Sequence, residues 1–387
     1  MLIKRKEGAF MSDSDSVFFN YFGLIKDTRQ QAKVRHLLID ILFISVAATI
    51  ANASDWEEVE IFAKKREEWF GKFLELPNGI PSHDTFERVF RWIDPKQFEK
   101  CFVNWVREIA ELADRSIVAI DGKTMRGAFD TDDKKSPIHI VSAWASENGM
   151  VLGQVKTNEK SNEITAIPEI LDLIFVGNCI VTIDAMGTQT KIAEKIIKNK
   201  ADYVLAVKGN QPNLHQDIVD FFDDAEKTKF DEIDVKSCST TDKGHGRIET
   251  RKYYLVEDIN WLSMKDQWKG LKSIGMAVRE CESKGKKTIE RRYFISSLAD
   301  SVDEFSKAVR KHWGIESMHW ILDVVFKEDS RRVRKDYGPQ NLAMLKRLAI
   351  NILKKDTTEP KYSLKSKRFA SSIDNDYLEQ VLIKNFI

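Results

Sequence analysis

Apolar residues recur at helical spacing early in the chain. Val34, Leu37, Leu38, Ile41, Leu42 and Val46 form one stripe, and Trp56, Val59, Ile61 and Phe62 form a second. Pro77 and the run Asn78-Gly79-Ile80-Pro81-Ser82 then break the pattern. Asp84 follows, placed to cap a helix carrying Phe86, Val89, Phe90 and Trp92. Residues 27–113 therefore read as an all-helical module behind an N-terminal extension, 1–26.

From Ile117 the period changes. Ile117-Val118-Ala119-Ile120 is apolar throughout and ends in Asp121-Gly122, and Ile138 to Val155 supplies two more strands around Asn148-Gly149, a dipeptide that accepts the positive φ of a tight hairpin. Ile164 to Phe175 predicts a helix, and Cys179 to Ile183 a buried strand that again ends in an acid, Asp184. A helix from about Thr188, with Ile192, Ala193, Ile196 and Ile197 on one face, leads into the strand Tyr203 to Val207. Strands apolar on both sides belong inside a sheet covered on both faces, so the fold class is α/β, with 114–212 as the first part of its core.

After Pro212 regularity is lost until Arg291. Lys252 to Val256 and Ile274 to Val278 are strand-like, so 213–290 reads as a β-rich insertion. The second part of the core, 291–356, opens on a capping box, Ser301-Val302-Asp303-Glu304, and predicts a helix past Glu316 to Phe326. Gly314 within it costs about 1 kcal/mol. A further helix is expected from about Gln340 to Lys354, and 357–387 forms a C-terminal tail.

Composition adds little until charge is followed along the chain. The 61 Lys and Arg nearly cancel the 60 Asp and Glu, so net charge does not point to a nucleic-acid partner. Yet eight cations fall between Lys346 and Arg368 and seven acids between Asp220 and Asp234. The basic stretch either neutralises phosphates or forms a solvated helix face. The four cysteines show no CxxC spacing, which suits a reducing cytoplasm. The apolar run Leu37 to Ile50 contains Asp40 and is too short for a bilayer of about 30 Å, so no membrane partner is expected, and Met1 to Phe10 lacks the apolar segment of a secretion signal.

The chemistry lies at the strand ends. Two apolar strands that each deliver an Asp place both acids at the edge where open α/β folds bind ligands. There the carboxylates can share Mg²⁺ or Mn²⁺, which prefer hard oxygen donors. Glu316 is the best third candidate, with Glu163 and Asp323 as alternatives. Set against this, a strand-ending Asp is often only a turn former, and a helical Glu is usually solvated. Lys123 and Arg126, just after the first acid, are candidates to hold a phosphate or are plain surface cations. Lys208, Asn210 and Gln211 follow the third buried strand on the same edge and offer DNA contacts or a simple turn. His245 and Arg247 lie in a Gly-flanked turn that could touch DNA. Trp144, Trp313 and Trp320 either stack on unpaired bases or pack in the core. The chain contains no GxSxG, HExxH, GxxxxGK[ST] or GxGxxG.

Taken in order, the segments Gly79 to Phe86, Ala119 to Gly127, Lys160 to Ile164, Thr182 to Gln189, Val207 to Pro212, His245 to Glu249 and Arg310 to Glu316 with His319-Trp320 give the chain a family likeness. It resembles the DDE-class insertion-sequence transposases, specifically the H-repeat-associated type found beside Rhs elements. The resemblance implies a ribonuclease H-like core with Asp121, Asp184 and Glu316 as first, second and third acids, and a β-rich segment inserted before the third. It also implies a DNA-binding role for the helical module. The partner would be double-stranded DNA, element ends and target alike, bound by a homodimer in the cytoplasm. Water would cut first, and the freed 3′ hydroxyl would then attack the target. Two other outcomes stay open, a nuclease that cuts without joining and an inactive DNA-binding descendant. The sequence departs from related transposases near Glu316. They place a Tyr and an Arg before the Glu and a Lys after it, whereas here His312 stands four before and Asp323 seven after. Arg310, His312 and Trp313 are the available substitutes.

Overall fold

The computed structural model describes residues 17–128, 138–157, 163–231, 233–244, 246–283, 285–330 and 333–386. The first six helices are α1 (Val17–Phe22), α2 (Leu38–Ile50), α3 (Trp56–Lys64), α4 (Glu67–Phe70), α5 (His83–Trp92) and α6 (Pro95–Ile109). Local signals set their starts. Asp55 accepts from the Glu58 N–H at 2.8 Å to open α3, and Asp94 accepts from the Lys96 N–H at 2.9 Å, with Pro95 in the first turn of α6. Asp84 is not the cap of α5: Ser82 holds the extended position and Asp84 lies in the first turn, where its charge favours the helix dipole. Ile61, expected on the buried stripe, faces solvent.

Nine strands form one sheet in the order β3-β2-β1-β4-β5-β9-β8-β7-β6. They are β1 (Ile117–Thr124), β2 (His139–Ala145), β3 (Met150–Thr157), β4 (Ile180–Ile183), β5 (Asp202–Val207), β6 (Val235–Gly244), β7 (Arg247–Val256), β8 (Ser273–Ser283) and β9 (Lys286–Ser296). β1, β4 and β5 run parallel, while β2 opposes both β1 and β3. Gly149 turns the β2–β3 hairpin with φ +66°. From β5 onward every pairing is antiparallel.

Helices α7 (Glu163–Leu173), α8 (Thr190–Lys198) and α9 (Pro212–Lys227) intervene, and α10 (Val302–His312) and α11 (Gly314–Trp320) follow the sheet. The stretch after Pro212, which had shown no regular pattern, is thus a 16-residue helix before the strands begin. Leu214, Ile218, Phe222 and Ala225 bury its inner face, but acids and amides between them dilute the stripe. The single helix expected through Phe326 is instead α10, a break at Trp313, α11, and a π-helical turn at Ile321–Val325. At the break a Cβ on Gly314 would stand 3.1 Å from Trp144 Nε1 and 3.3 Å from Ser146 Oγ, so the strands demand the small residue.

The parity of the strands sorts the two faces. Ile117, Ile180 and Val204 pack with Phe305 and Ala308 of α10, whereas Val118, Val181 and Leu205 join the core that contains Ile170, Ile192 and Ile196 of α7 and α8. α12 (Gly338–Lys355) is buried along almost its whole length and packs on α2, α5, α6 and β3, so one apolar cluster runs from the helical module into the sheet. α13 (Leu364–Ile373) and α14 (Asn375–Phe386) close the chain.

The basic stretch is not a continuous solvated face. Lys346, Arg347, Lys367 and Arg368 are buried; Lys367 donates to the Leu353 carbonyl at 3.0 Å and Arg368 to the Thr49 carbonyl at 3.0 Å. No helix among the described residues is long and apolar enough to cross a membrane.

Candidate active site

Asp121 ends the apolar run of β1, and Asp184 directly follows β4. The register pairs Ile120 with Ile183, so the two acids emerge side by side. Asp184 also forms its own turn, accepting from the N–H groups of Met186 at 3.1 Å and Gly187 at 3.4 Å. Turn former and candidate ligand are therefore one residue.

The third acid of the tightest group is Glu163, the first residue of α7. One carboxylate oxygen each from Asp121, Glu163 and Asp184 lies within 4.8 Å of the others. Glu163 is buried, with Oε1 2.6 Å from His139 Nε2, while His139 Nδ1 is 2.9 Å from Thr124 Oγ1. That pair fills the space above Gly122, where a Cβ would stand 2.1 Å from His139 Nε2. Glycine after Asp121 is thus a packing requirement.

Glu316, on α11, is exposed and outside that tightest group, yet close enough to act on Asp121 electrostatically. Burial, and after it the charges of Asp184, Glu163 and Glu316, push the Asp121 carboxyl up to about 7. Partial burial raises Glu316 as well, opposed by Arg292. Clustered carboxylates that resist ionisation fit a divalent cation, which would neutralise them with the oxygen donors it prefers.

Two histidines back the acids. His312, one of the available substitutes for the family's Tyr, Arg and Lys, has Nδ1 2.9 Å from Thr182 Oγ1 and is pushed down to about 4 by burial, so it is neutral at neutral pH. His319 Nδ1 lies 3.8 Å from Asp121 Oδ2 and is pushed down to about 3 by burial and by Arg347 and Lys123. His319 had drawn attention only as part of a longer motif. Its position three after Glu316, one turn along the same face, is the signal that marks it out.

The remaining candidates fall into three groups. Lys123 is only 8% exposed, and its ammonium sits among Asp323, Asp329 and Glu328. Asn210 donates to the Ala185 carbonyl and Gln211 to the Thr188 carbonyl at 3.0 Å, so both brace the loop that follows Asp184; Lys208 and Arg126 are exposed. Arg247, Arg310 and Trp313 meet in a cleft of about 270 Å³ between β7–β9 and α10, together with Arg251, Arg279 and Arg292. Buried Glu249 holds Arg279 at 2.9 Å there, and Arg292 lies 4.6 Å over the Trp313 ring. Trp144 is buried and Trp320 is 59% exposed. His245 lies outside the described residues.

A mixed sheet with two aspartates at adjacent strand ends, helix-borne glutamates above them and a cationic cleft alongside leads to the DDE class of transposases. The family model described as Transposase DDE domain matches residues 112–352, and the DDE_Tnp_1-associated model matches 19–106, so the chain belongs to the DDE transposase family. Within it, the chain is 44% identical to the candidate transposase YncI of Escherichia coli O157:H7, covering 94% of this chain and 93% of that one. It is 38% identical to the H repeat-associated candidate transposase YhhI of Escherichia coli K12, covering 94% of this chain and 96% of that protein. Among solved structures, the cryo-EM structure of the piggyBac transposase synaptic complex with hairpin DNA aligns at TM-score 0.40 and 12% identity, over 96% of this chain and 76% of that one.

Proposed function

We propose that this transposase cuts and joins DNA at the ends of its own insertion element, with Asp121, Asp184 and Glu316 holding Mg²⁺ or Mn²⁺. The observation that carries the reading is the convergence of one carboxylate oxygen each from Asp121, Glu163 and Asp184 within 4.8 Å of one another, with Glu316 near enough to act on Asp121, whose carboxyl is pushed up to about 7 by burial first and by these charges after it. Glu163 is the alternative third ligand, favoured by proximity, but it is committed to His139 at 2.6 Å. Glu316 is exposed, and its charge reaches Asp121. The strand order β3-β2-β1-β4-β5, in which only β2 runs against the rest, supports a ribonuclease H-like core made of 114–212 and 291–356. On this reading 213–290 is an insertion, 27–113 helps to hold DNA, and 1–26 and 357–387 flank the working parts.

A bound divalent ion supplies charge stabilisation for the leaving oxygen and acidifies the attacking water. The protein's own part is placement. Asp184 is fixed by the Met186 and Gly187 N–H groups, and its loop by Asn210 and Gln211. His312 and His319, neutral at neutral pH, bring no positive charge to the acids. Arg126, Lys208, Arg247 and Arg310 present exposed cations to phosphates, and Trp313 a flat apolar face beside them. Water attacks the phosphodiester at the element end and its P–O3′ bond breaks; the freed 3′ hydroxyl then attacks a target phosphodiester, whose own P–O3′ bond breaks to release a target 3′ hydroxyl. Holding two ends at once calls for a homodimer, acting on DNA in the cytoplasm.

The test uses a duplex carrying the inverted repeats that flank the gene, incubated with protein, Mg²⁺ and a supercoiled target. A joined strand is expected. Cleavage without joining would reduce the reading to a nuclease, and undiminished cleavage by Asp121→Asn would remove the metal assignment. Glu316→Gln losing cleavage while Glu163→Gln keeps it selects Glu316 as third ligand, and the reverse selects Glu163.

A further inference from the structure

Lys123 lies two positions beyond Asp121 on β1, hence on the same side of the strand. A cation there invites the role of phosphate ligand, but its surroundings oppose it. Its Nζ is 2.7 Å from Asp323 Oδ1, 3.0 Å from Asp329 Oδ1 and 3.4 Å from Glu328 Oε2. An ammonium has three N–H donors, and three carboxylates surround this one. A phosphate arriving at Nζ would meet all three acids at close range.

The three acids belong to the segment that carries Glu316. Asp323 lies in the π-helical turn that continues α11, and Glu328 and Asp329 in the turn after it. Glu328 is itself buried and accepts from Arg347 Nη1 of α12 at 3.1 Å, while Arg347 Nε reaches Ser142 Oγ of β2 at 3.4 Å. Asp329 accepts a second bond at 3.2 Å, from the Arg126 N–H just past β1. One ammonium therefore ties the Asp121 strand to the Glu316 segment, and the Glu328–Arg347 pair extends the tie to α12 and β2.

We infer that Lys123 is a positioning residue, a latch that sets α11, and with it Glu316, against Asp121. Its catalytic consequence rests on the metal reading above; the latch itself does not. Asp323→Asn is the first variant, because Lys123 keeps Asp329 and Glu328 and the fold keeps its charge pairing. In metal-free protein, amide hydrogen exchange across 314–326 should quicken about tenfold at an unchanged global unfolding midpoint. The Mn²⁺ concentration for half-maximal cleavage should rise about tenfold, the scale of ligand-orienting partners, with end binding within about twofold. Lys123→Met should move both readouts the same way and further. The reversed pair, Lys123→Glu with Asp323→Lys, should recover part of the loss.

Wild-type exchange in Asp323→Asn overturns the latch. So does a Lys123→Met protein whose main defect is weaker DNA binding with a shallower salt dependence, since that marks a phosphate ligand. If Lys123→Met does not fold, Asp323→Asn decides alone. If the wild type neither binds Mn²⁺ nor cleaves, the metal reading falls, while hydrogen exchange still decides the latch.

Discussion

The two halves of the sheet are built on different principles. In β3-β2-β1-β4-β5 the strands are buried on both faces almost throughout. β7, β8 and β9 start from buried roots at Leu255, Val256, Ile274 and Ile295 and extend into exposed tips, with β6 exposed along its outer edge. Cross-strand ion pairs lace those tips, among them Arg251–Asp242 at 2.6 Å and Lys252–Glu280 at 2.7 Å. The same residue type then behaves in opposite ways. Asp121, at the rim of the apolar half, is pushed up to about 7, whereas Glu280 in the ribbon is pulled down to about 2 by hydrogen bonds from Lys252 and Lys287. Burial without a cation makes a site that wants a metal. Pairing with cations leaves guanidinium groups to spare for an anionic partner.

Substitution at the rim should break this contrast most strongly. Asp121→Asn or Asp184→Asn should lower single-turnover cleavage by about 10³-fold or more, as expected when charge stabilisation at the reacting phosphate is lost. Filter binding of the element end should stay within about threefold. Comparable losses from Glu280→Gln would erase the distinction between the halves.

The next effect is on stability and depends on pH. In metal-free protein Asp121 keeps a proton up to about pH 7, while the unfolded chain releases it near its ordinary value. Between those limits the folded state binds more protons than the unfolded one, so stability falls as pH rises, by up to about 1.4 kcal/mol per pH unit. Urea midpoints in chelator should therefore show Asp121→Asn gaining on the wild type between pH 4 and 7. A gap independent of pH would mean that Asp121 is ionised throughout.

Packing comes third. Gly122→Ala drives a methyl into His139 and Glu163 and should cost about 1–3 kcal/mol by urea denaturation. Gly244→Ala at the ribbon tip meets nothing within 4 Å and should stay within about 0.5 kcal/mol. Equal costs would show that the two regions pack alike.

The smallest effects belong to the cleft. Arg247→Ala and Arg310→Ala should each flatten the salt dependence of DNA binding by about one unit of slope, leaving the cleavage rate of bound DNA unchanged. A change in that rate with binding intact would place these arginines at the chemistry.

The apolar half was legible because a strand covered on both faces needs an unbroken apolar run, and Asp121 and Asp184 stand where two such runs stop. α9 is hard to read because Leu214, Ile218 and Phe222 are spaced for one helix face while Val219 and Phe221 set apolar residues off that face and acids fill the positions between. Lys123 read as a free cation because its partners lie some 200 residues further on, beyond any local pattern. The run from Lys346 to Arg368 reads as one charged surface for the same reason, since Arg347 meets Glu328 and Lys367 and Arg368 reach backbone carbonyls of other segments. Glu163 was named only as a rival, because the crossing that carries it beside Asp121 depends on how α7 packs.

α12 occupies the joint between the helical module and β3, yet it is synthesised after both of them. Until it leaves the ribosome, the apolar faces of α2, α5 and α6 have no common lid and Arg347 cannot meet Glu328. A nascent transposase is therefore incomplete as an enzyme until α12 has been made, and a chain cut short before Gly338 would have an open core, fit for proteolysis and unable to cut DNA.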